Sequence, residues 1–183
     1  MSYYGASDLA AAFRQVRSNT VQIAEDIPEA RYDFRAAPDC RAVGQTLVHI
    51  AVAYPGMQLR IHEAKVTDLA TFNFMEFFQK AAAEESKARS KSEIAALLKS
   101  EGERFAAFLA GLSDAFLAEP VTMPQGAQPP TKTRFEMLLS AKEHEMHHRA
   151  QLMMMQRMLG ITPHLTRQMQ ERMAARAAAA PAR

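Results

Sequence analysis

The segment Glu143-His144-Glu145-Met146-His147-His148-Arg149-Ala150-Gln151 lies in an otherwise apolar stretch. His144 and His148 are four residues apart. On a helix that spacing puts both imidazoles on one face, with their Cβ atoms roughly 6 Å apart, so that one cation can satisfy both. A third ligand must come from another helix. His49, in Gln45-Thr46-Leu47-Val48-His49-Ile50-Ala51, is the candidate, because its surroundings are also apolar and helical in pattern. Three neutral imidazoles leave a fourth coordination position open, which is the arrangement of a catalytic rather than a structural ion. The expected ligands are therefore His49, His144 and His148, and the expected cofactor is one divalent transition-metal ion. Zinc, nickel, iron or cobalt would suit the donor set.

The same residues admit other readings. A lone histidine on an apolar face is usually a hydrogen-bonded core residue. The inward pair with a third histidine on another helix favours ligation. His147 falls about 60° from His144 on the helical wheel and reads as a rim residue. His62 and His164 read as surface residues. Met153-Met154-Met155, with Met158, reads as flexible core filler rather than a thioether site. Cys40, the single cysteine, excludes an intramolecular disulfide and reads as an ordinary loop thiol. His144-Glu145-Met146-His147-His148 also spells HExxH, in which Glu145 would be the general base of a zinc peptidase. The extended motif fails, since Met154 stands where a further histidine is required. Glu171 lies in a polar tail, and no strand is evident to hold a peptide. Peptidase is the lesser reading.

The positioning elements are helical. Of 183 residues, 48% are hydrophobic and only seven are glycine, as suits one helical domain. The formal charge of +2 argues against a nucleic-acid partner. The N-terminus lacks a signal-peptide pattern, and no apolar run approaches the ~20 residues of a membrane span, so a cytoplasmic protein with no membrane partner is expected. Helix one is expected from Ser7, its cap, to Ile27, with Leu9, Phe13, Val16, Thr20, Ile23 and Ile27 as the apolar stripe. A second helix, from about 41–43 to 64, should kink near Pro55. Its His49 face carries Ala42, Thr46, Ala53 and Gly56, whose small size should leave space beside the imidazole. Thr71–Phe78 reads as a loop leading into a short helix, and the charged run 84–91 as solvated. Helix three opens at Ser92. Residues 118–131 form a long loop. Helix four opens on Thr133-Arg134-Phe135-Glu136, a capping box, and ends at Gly160. With His144 set at zero, His148 falls at about +40° and Met137 and Met155 at about +20°, so the histidines should face the core.

The stretches Val43-Gly44-Gln45-Thr46-Leu47-Val48-His49-Ile50, His144 to Leu152, and Met158-Leu159-Gly160-Ile161-Thr162-Pro163 together resemble the DinB/YfiT-like superfamily of metal-dependent proteins. The resemblance covers roughly residues 5–165; Ala150 stands where the family often has glycine. It implies an all-α, up-down-down-up four-helix bundle over residues 1–165, followed by a basic, Ala-rich tail at 166–183. It also implies an ion between the helices and a homodimer. Some members resemble thiol-dependent transferases or isomerases. A small-molecule substrate and a low-molecular-weight thiol are thus the implied partners, with His147, Gln151 or Gln45 orienting groups around the ion. The alternative from another class is a non-catalytic metal-binding, stress-response module. An open cavity at the histidines would favour the enzyme.

Overall fold

The computed structural model describes residues 4–179, in eight α-helices and two short strands. Helix α1 is Ala6–Asp26, α2 Val43–Val52, α3 Tyr54–Glu63, α4 Phe74–Glu85 and α5 Lys91–Ala110. Then follow α6 Asp114–Ala118, β1 Pro120–Thr122, β2 Thr131–Thr133, α7 Arg134–Met158 and α8 His164–Ala178. Met1 and Arg183, at the ends of the two terminal segments read from sequence, lie outside the described residues.

Capping chemistry sets the helix starts, and it moves two of the expected ones. Gly5, not Ser7, is the cap of α1, because the Asp8 carboxylate reaches back to the Gly5 N–H at 2.9 Å. Ser90, not Ser92, caps α5: Glu93 accepts the Ser90 N–H at 2.7 Å, while its own N–H donates to Ser90 Oγ at 3.3 Å. The Thr133–Glu136 box opens α7 as expected, and Gly160 follows it with a φ of +76°. The expected kink in the second helix is a full break at Ala53. Tyr54 begins a new helix there, and Pro55, without an N–H, sits in its first turn. The expected loop at 118–131 instead contains an antiparallel hairpin, with Pro120 opposite Thr133 and Thr122 opposite Thr131. Strands of three residues are too short for alternation to register in sequence.

Contacts give the bundle its directions. Arg14 meets Glu103 and Lys99 meets Glu25, so α1 and α5 are antiparallel. Tyr54 meets Ser140 and His62 meets Arg134, so α2–α3 and α7 are antiparallel. Tyr4 packs on Phe135 and Arg17 binds Glu145, so α1 and α7 run the same way. In chain order the four bundle helices therefore run up, down, down, up. All six stripe residues expected on α1 are buried. So is Arg17, at 4% exposure, in a polar layer between two apolar clusters. One cluster contains Val21, Ile23, Leu47, Ile50, Leu98 and Leu152, the other Leu9, Phe13, Leu59, Phe105 and Leu138.

Several surface expectations are corrected. His62 is 1% exposed, because Arg134 Nη1 donates to its Nδ1 at 3.0 Å and its Nε2 meets Gln58 Oε1 at 3.0 Å. His164 is 3% exposed and its Nε2 meets Asn19 Oδ1 at 3.3 Å, where α8 lies on α1. Arg167 adds a 2.8 Å contact with Asp26 to that junction. The tail read from sequence includes most of α8, on which Met169 and Met173 are exposed. Of the methionine run, Met155 is buried, while Met154 and Met158 are exposed rather than core filler. Among the described residues no helix is long and apolar enough to cross a membrane.

Two predictions follow from this packing. A Cβ on Gly102 would stand 2.6 Å from Arg17 Cγ, and Arg17 is pinned by bonds to three other helices. Gly102→Ala should lower stability by about 1–3 kcal/mol, read as a lower urea midpoint, despite alanine's better helix propensity. The second concerns acid. Burial, then the Arg134 charge, pushes the His62 pKa down from 6.5 to about 4. The unfolded chain thus binds the proton that the folded one refuses. Stability should fall as pH drops from about 6.5 toward about 4, and His62→Gln should flatten that slope in chemical denaturation.

Candidate metal centre

The antiparallel pairing of α2 and α7 puts His49 opposite His144 and His148. The Nε2 atoms of His49 and His144 are 3.4 Å apart, and one ring nitrogen from each of the three residues lies within 4.8 Å of the others. Bonds of about 2.05 Å at tetrahedral angles give a nitrogen–nitrogen edge of about 3.4 Å. The His49–His144 pair already has that spacing. The ring centroids stand 5.2, 4.7 and 4.6 Å apart. His148 is buried and the other two are half-buried.

Hydrogen bonds behind the rings aim their lone pairs at the common point. His49 Nδ1–H donates to Glu85 Oε1 at 2.6 Å, and Arg41 holds the other Glu85 oxygen at 2.8 Å. His148 Nδ1–H donates to Gln151 Oε1 at 2.8 Å. Both bonds leave Nε2 unprotonated and inward, as a ligand must be. His144 is oriented by stacking on Tyr54, with centroids 4.7 Å apart and planes at 20°. Burial, then the neighbouring histidines, pushes the His144 pKa down to about 3. Burial also lowers that of His148, against the pull of Gln151. Burial pushes the Glu85 carboxyl up, but its bonds from His49 and Arg41 outweigh this and hold it below its usual value. Near neutral pH His144 and His148 are thus neutral donors and Glu85 is a carboxylate, which are charges a cation site can use. The donor chemistry fits a divalent ion.

The other expected residues fall as follows. His147 is exposed on the rim, with its Nε2 3.2 Å from Gln151 Nε2. Gln151 thus bridges His148 and His147. Gln45 Oε1 accepts the Ala42 N–H at the start of α2. Glu145 is 1% exposed and faces away from the histidines; Arg17 Nε reaches its two oxygens at 3.0 and 3.1 Å. It cannot serve as the base of an HExxH peptidase. The buried face of α7 includes Leu138, Glu145, Leu152 and Gln156, which places both histidines at its edge rather than its centre. The space expected beside Ala53 and Gly56 is filled by Phe77 of α4, whose Cζ would lie 3.8 Å from a Cβ on Gly56. Room exists instead on the Thr46 side. A cavity of about 590 Å³ there is lined by Cys40, Arg41, Thr46, His148, Gln151 and Met155, among others.

Sequence reasoning missed Glu85, Arg41, Tyr54 and Arg17. Glu85 sits in the run read as solvated, and nothing local marks it. Arg17 did leave a signal, since it falls four residues after Phe13 and three before Thr20, inside the apolar stripe.

Elemental analysis of untagged protein should give one divalent ion per chain. His49→Ala, His144→Ala and His148→Ala should each abolish retention, while Glu85→Gln should weaken affinity by about 10–100-fold. His164→Ala should leave it unchanged. Equal metal content in wild type and His144→Ala would contradict the assignment.

No curated protein matches the chain. Solved structures share its fold. YfiT from Bacillus subtilis, described as a probable metal-dependent hydrolase with an unusual four-helix bundle topology, aligns with a TM-score of 0.68 at 18% identity, covering 88% of this chain and 91% of its own. A DinB-like protein from Bacillus cereus gives a TM-score of 0.66 at 17% identity, over 88% and 97% of the two chains. The DinB-like protein YjoA of Bacillus subtilis gives 0.62 at 21% identity, over 84% and 93%. The model of the DinB superfamily matches residues 12–152, a span that contains all three histidines and most of the bundle, and the chain belongs to that superfamily.

Proposed function

We propose that this protein is a divalent-metal enzyme that acts on a small molecule together with a low-molecular-weight thiol, as a transferase or isomerase. The observation that carries the reading is the cavity of about 590 Å³ that His148 and Gln151 line, next to three histidines whose lone pairs converge. A closed structural site, as a non-catalytic module would have, needs no such space. When bound, a divalent ion would lower the pKa of a thiol or water molecule at its open position.

The chain's own residues supply the rest. Glu85 and Gln151 hold His49 and His148 in the ligating tautomer. Arg41, 45% exposed at its side chain and on the cavity wall, offers a positive charge to an anionic substrate group. Met154 and Met155 offer an adaptable apolar wall. His147, on the rim and linked to Gln151, is the group placed to carry a proton between the cavity and water. A second reading is metal-dependent hydrolysis, for which the description of YfiT speaks. It uses the same residues with water as the nucleophile.

Cobalt-substituted protein tests the choice. Its visible spectrum should change on addition of a low-molecular-weight thiol, and the change should be absent in His148→Ala. Glu145→Gln should leave the thiol response in place wherever the variant folds. A spectrum indifferent to every thiol, with turnover of simple esters or amides, would replace the transferase reading by the hydrolase. Indifference without turnover would leave the non-catalytic module.

A further inference from the structure

Tyr54 stacks on His144, and the same residue lines a second cavity, of about 240 Å³, that none of the three histidines reaches. Its walls are mainly apolar, with Met57, Ile61, Leu69, Phe74 and Met137 among them. Gln58 also lines it and is 1% exposed.

The hydrogen-bond chain behind Gln58 determines what it presents. A guanidinium can only donate, so the 3.0 Å contact from Arg134 Nη1 makes His62 Nδ1 an acceptor. His62 is then the neutral tautomer with its proton on Nε2, in accord with a pKa that burial and Arg134 push down to about 4. That Nε2–H must donate across 3.0 Å to the oxygen of the Gln58 carboxamide. The amide orientation is thereby fixed, and the Gln58 NH₂ is left without a partner among the described residues. No hydrogen bond joins it to the neighbouring hydroxyls, which bond one another and the backbone. Ser140 Oγ donates to the Met137 carbonyl at 2.6 Å, and Tyr54 donates to Ser140 Oγ at 2.8 Å. A donor on the wall of a mainly apolar cavity, with no protein partner, calls for an acceptor from a ligand.

We propose that this second cavity binds a small, mainly apolar molecule carrying a carbonyl or carboxylate oxygen, which accepts a hydrogen bond from Gln58 Nε2. A volume of about 240 Å³ equals that of roughly eight waters, which suits a ligand of on the order of eight non-hydrogen atoms. The site needs no metal and stands whether or not the histidines hold one. Lys132 also lines the cavity, so a carboxylate gains an attraction that a neutral amide lacks.

The test is a titration of the whole 183-residue chain, after chelator treatment, with hexanamide and, separately, hexanoate, followed by the methionine methyl resonances. One or both probes should shift the Met57 and Met137 signals saturably, with a Kd on the order of 1 mM for a ligand of this size. Tighter binding of hexanoate, lost in Lys132→Met, assigns the carboxylate; equal or tighter binding of hexanamide assigns the neutral carbonyl. Gln58→Glu keeps an acceptor for His62 but removes the NH₂, and should weaken binding by at least about tenfold. Met123→Trp, at a partly exposed position on the cavity wall, should block binding by filling the space, and decides the matter if Gln58→Glu does not fold. Absence of saturation with both probes at tenfold higher concentration would overturn the proposal, as would wild-type affinity in either variant.

Discussion

The arrangement of this protein depends on one buried cation. The Arg17 guanidinium, on α1, donates to the Leu98 carbonyl of α5 at 2.8 Å, to the Ile50 carbonyl of α2 at 3.2 Å, and to the Glu145 carboxylate of α7 at 3.0 Å. It therefore touches every strut of the bundle at one level. Ile50 follows His49 in the chain and Glu145 follows His144. The group that sets the register of α2 against α7 thus binds the residues next to His49 and His144, two ligands that must meet across them. A buried ion pair adds little net stability, because desolvation offsets most of the attraction; removing one partner costs about 3–5 kcal/mol, since the other charge is left stranded. The pair acts here through registry, and the missing side chain at Gly102 gives Arg17 the room to do so.

Around that level the fold has two further devices that aim the histidines. The break at Ala53 starts a new helix whose first residue, Tyr54, lies flat against His144. Helix α4, held by Phe77 over Gly56, brings Glu85 to the back of His49 from 36 residues away. The imidazoles are thereby oriented before any ion arrives. Preorganisation of this kind reduces the cost of binding and makes the site an attribute of the folded chain rather than the cause of its folding. The apolar clusters on either side of the Arg17 layer support the same view, since the core does not run through the histidines.

Much of this was legible before the structure. His144 and His148 share a helix, so their spacing alone places them together, and His49 stands out by its apolar setting. The Thr133 box, the interruption at Pro55 and the helical class follow from local chemistry as well. What was not legible depends on partners far along the chain. Glu85 looks like any charge in a hydrophilic run until α4 is docked. His62 and His164 looked like surface residues because Arg134 and Asn19, which satisfy them when buried, are 72 and 145 residues distant. Glu145 is the instructive case. Its place in HExxH suggests a base, yet its angle on α7 carries it past the histidines into the core, where Arg17 neutralises it. A motif gives the residue types; the helix azimuth decides which of them share a site.

X-ray absorption on the zinc- or cobalt-loaded protein reads out which residues bind the ion. The first shell should contain three imidazole nitrogens at about 2.0–2.1 Å, with the multiple scattering of histidine rings, and His49→Ala should lose one such ring. A shell dominated by carboxylate oxygen, or by a sulfur at about 2.3 Å from Cys40, or one unchanged in His49→Ala, would contradict it.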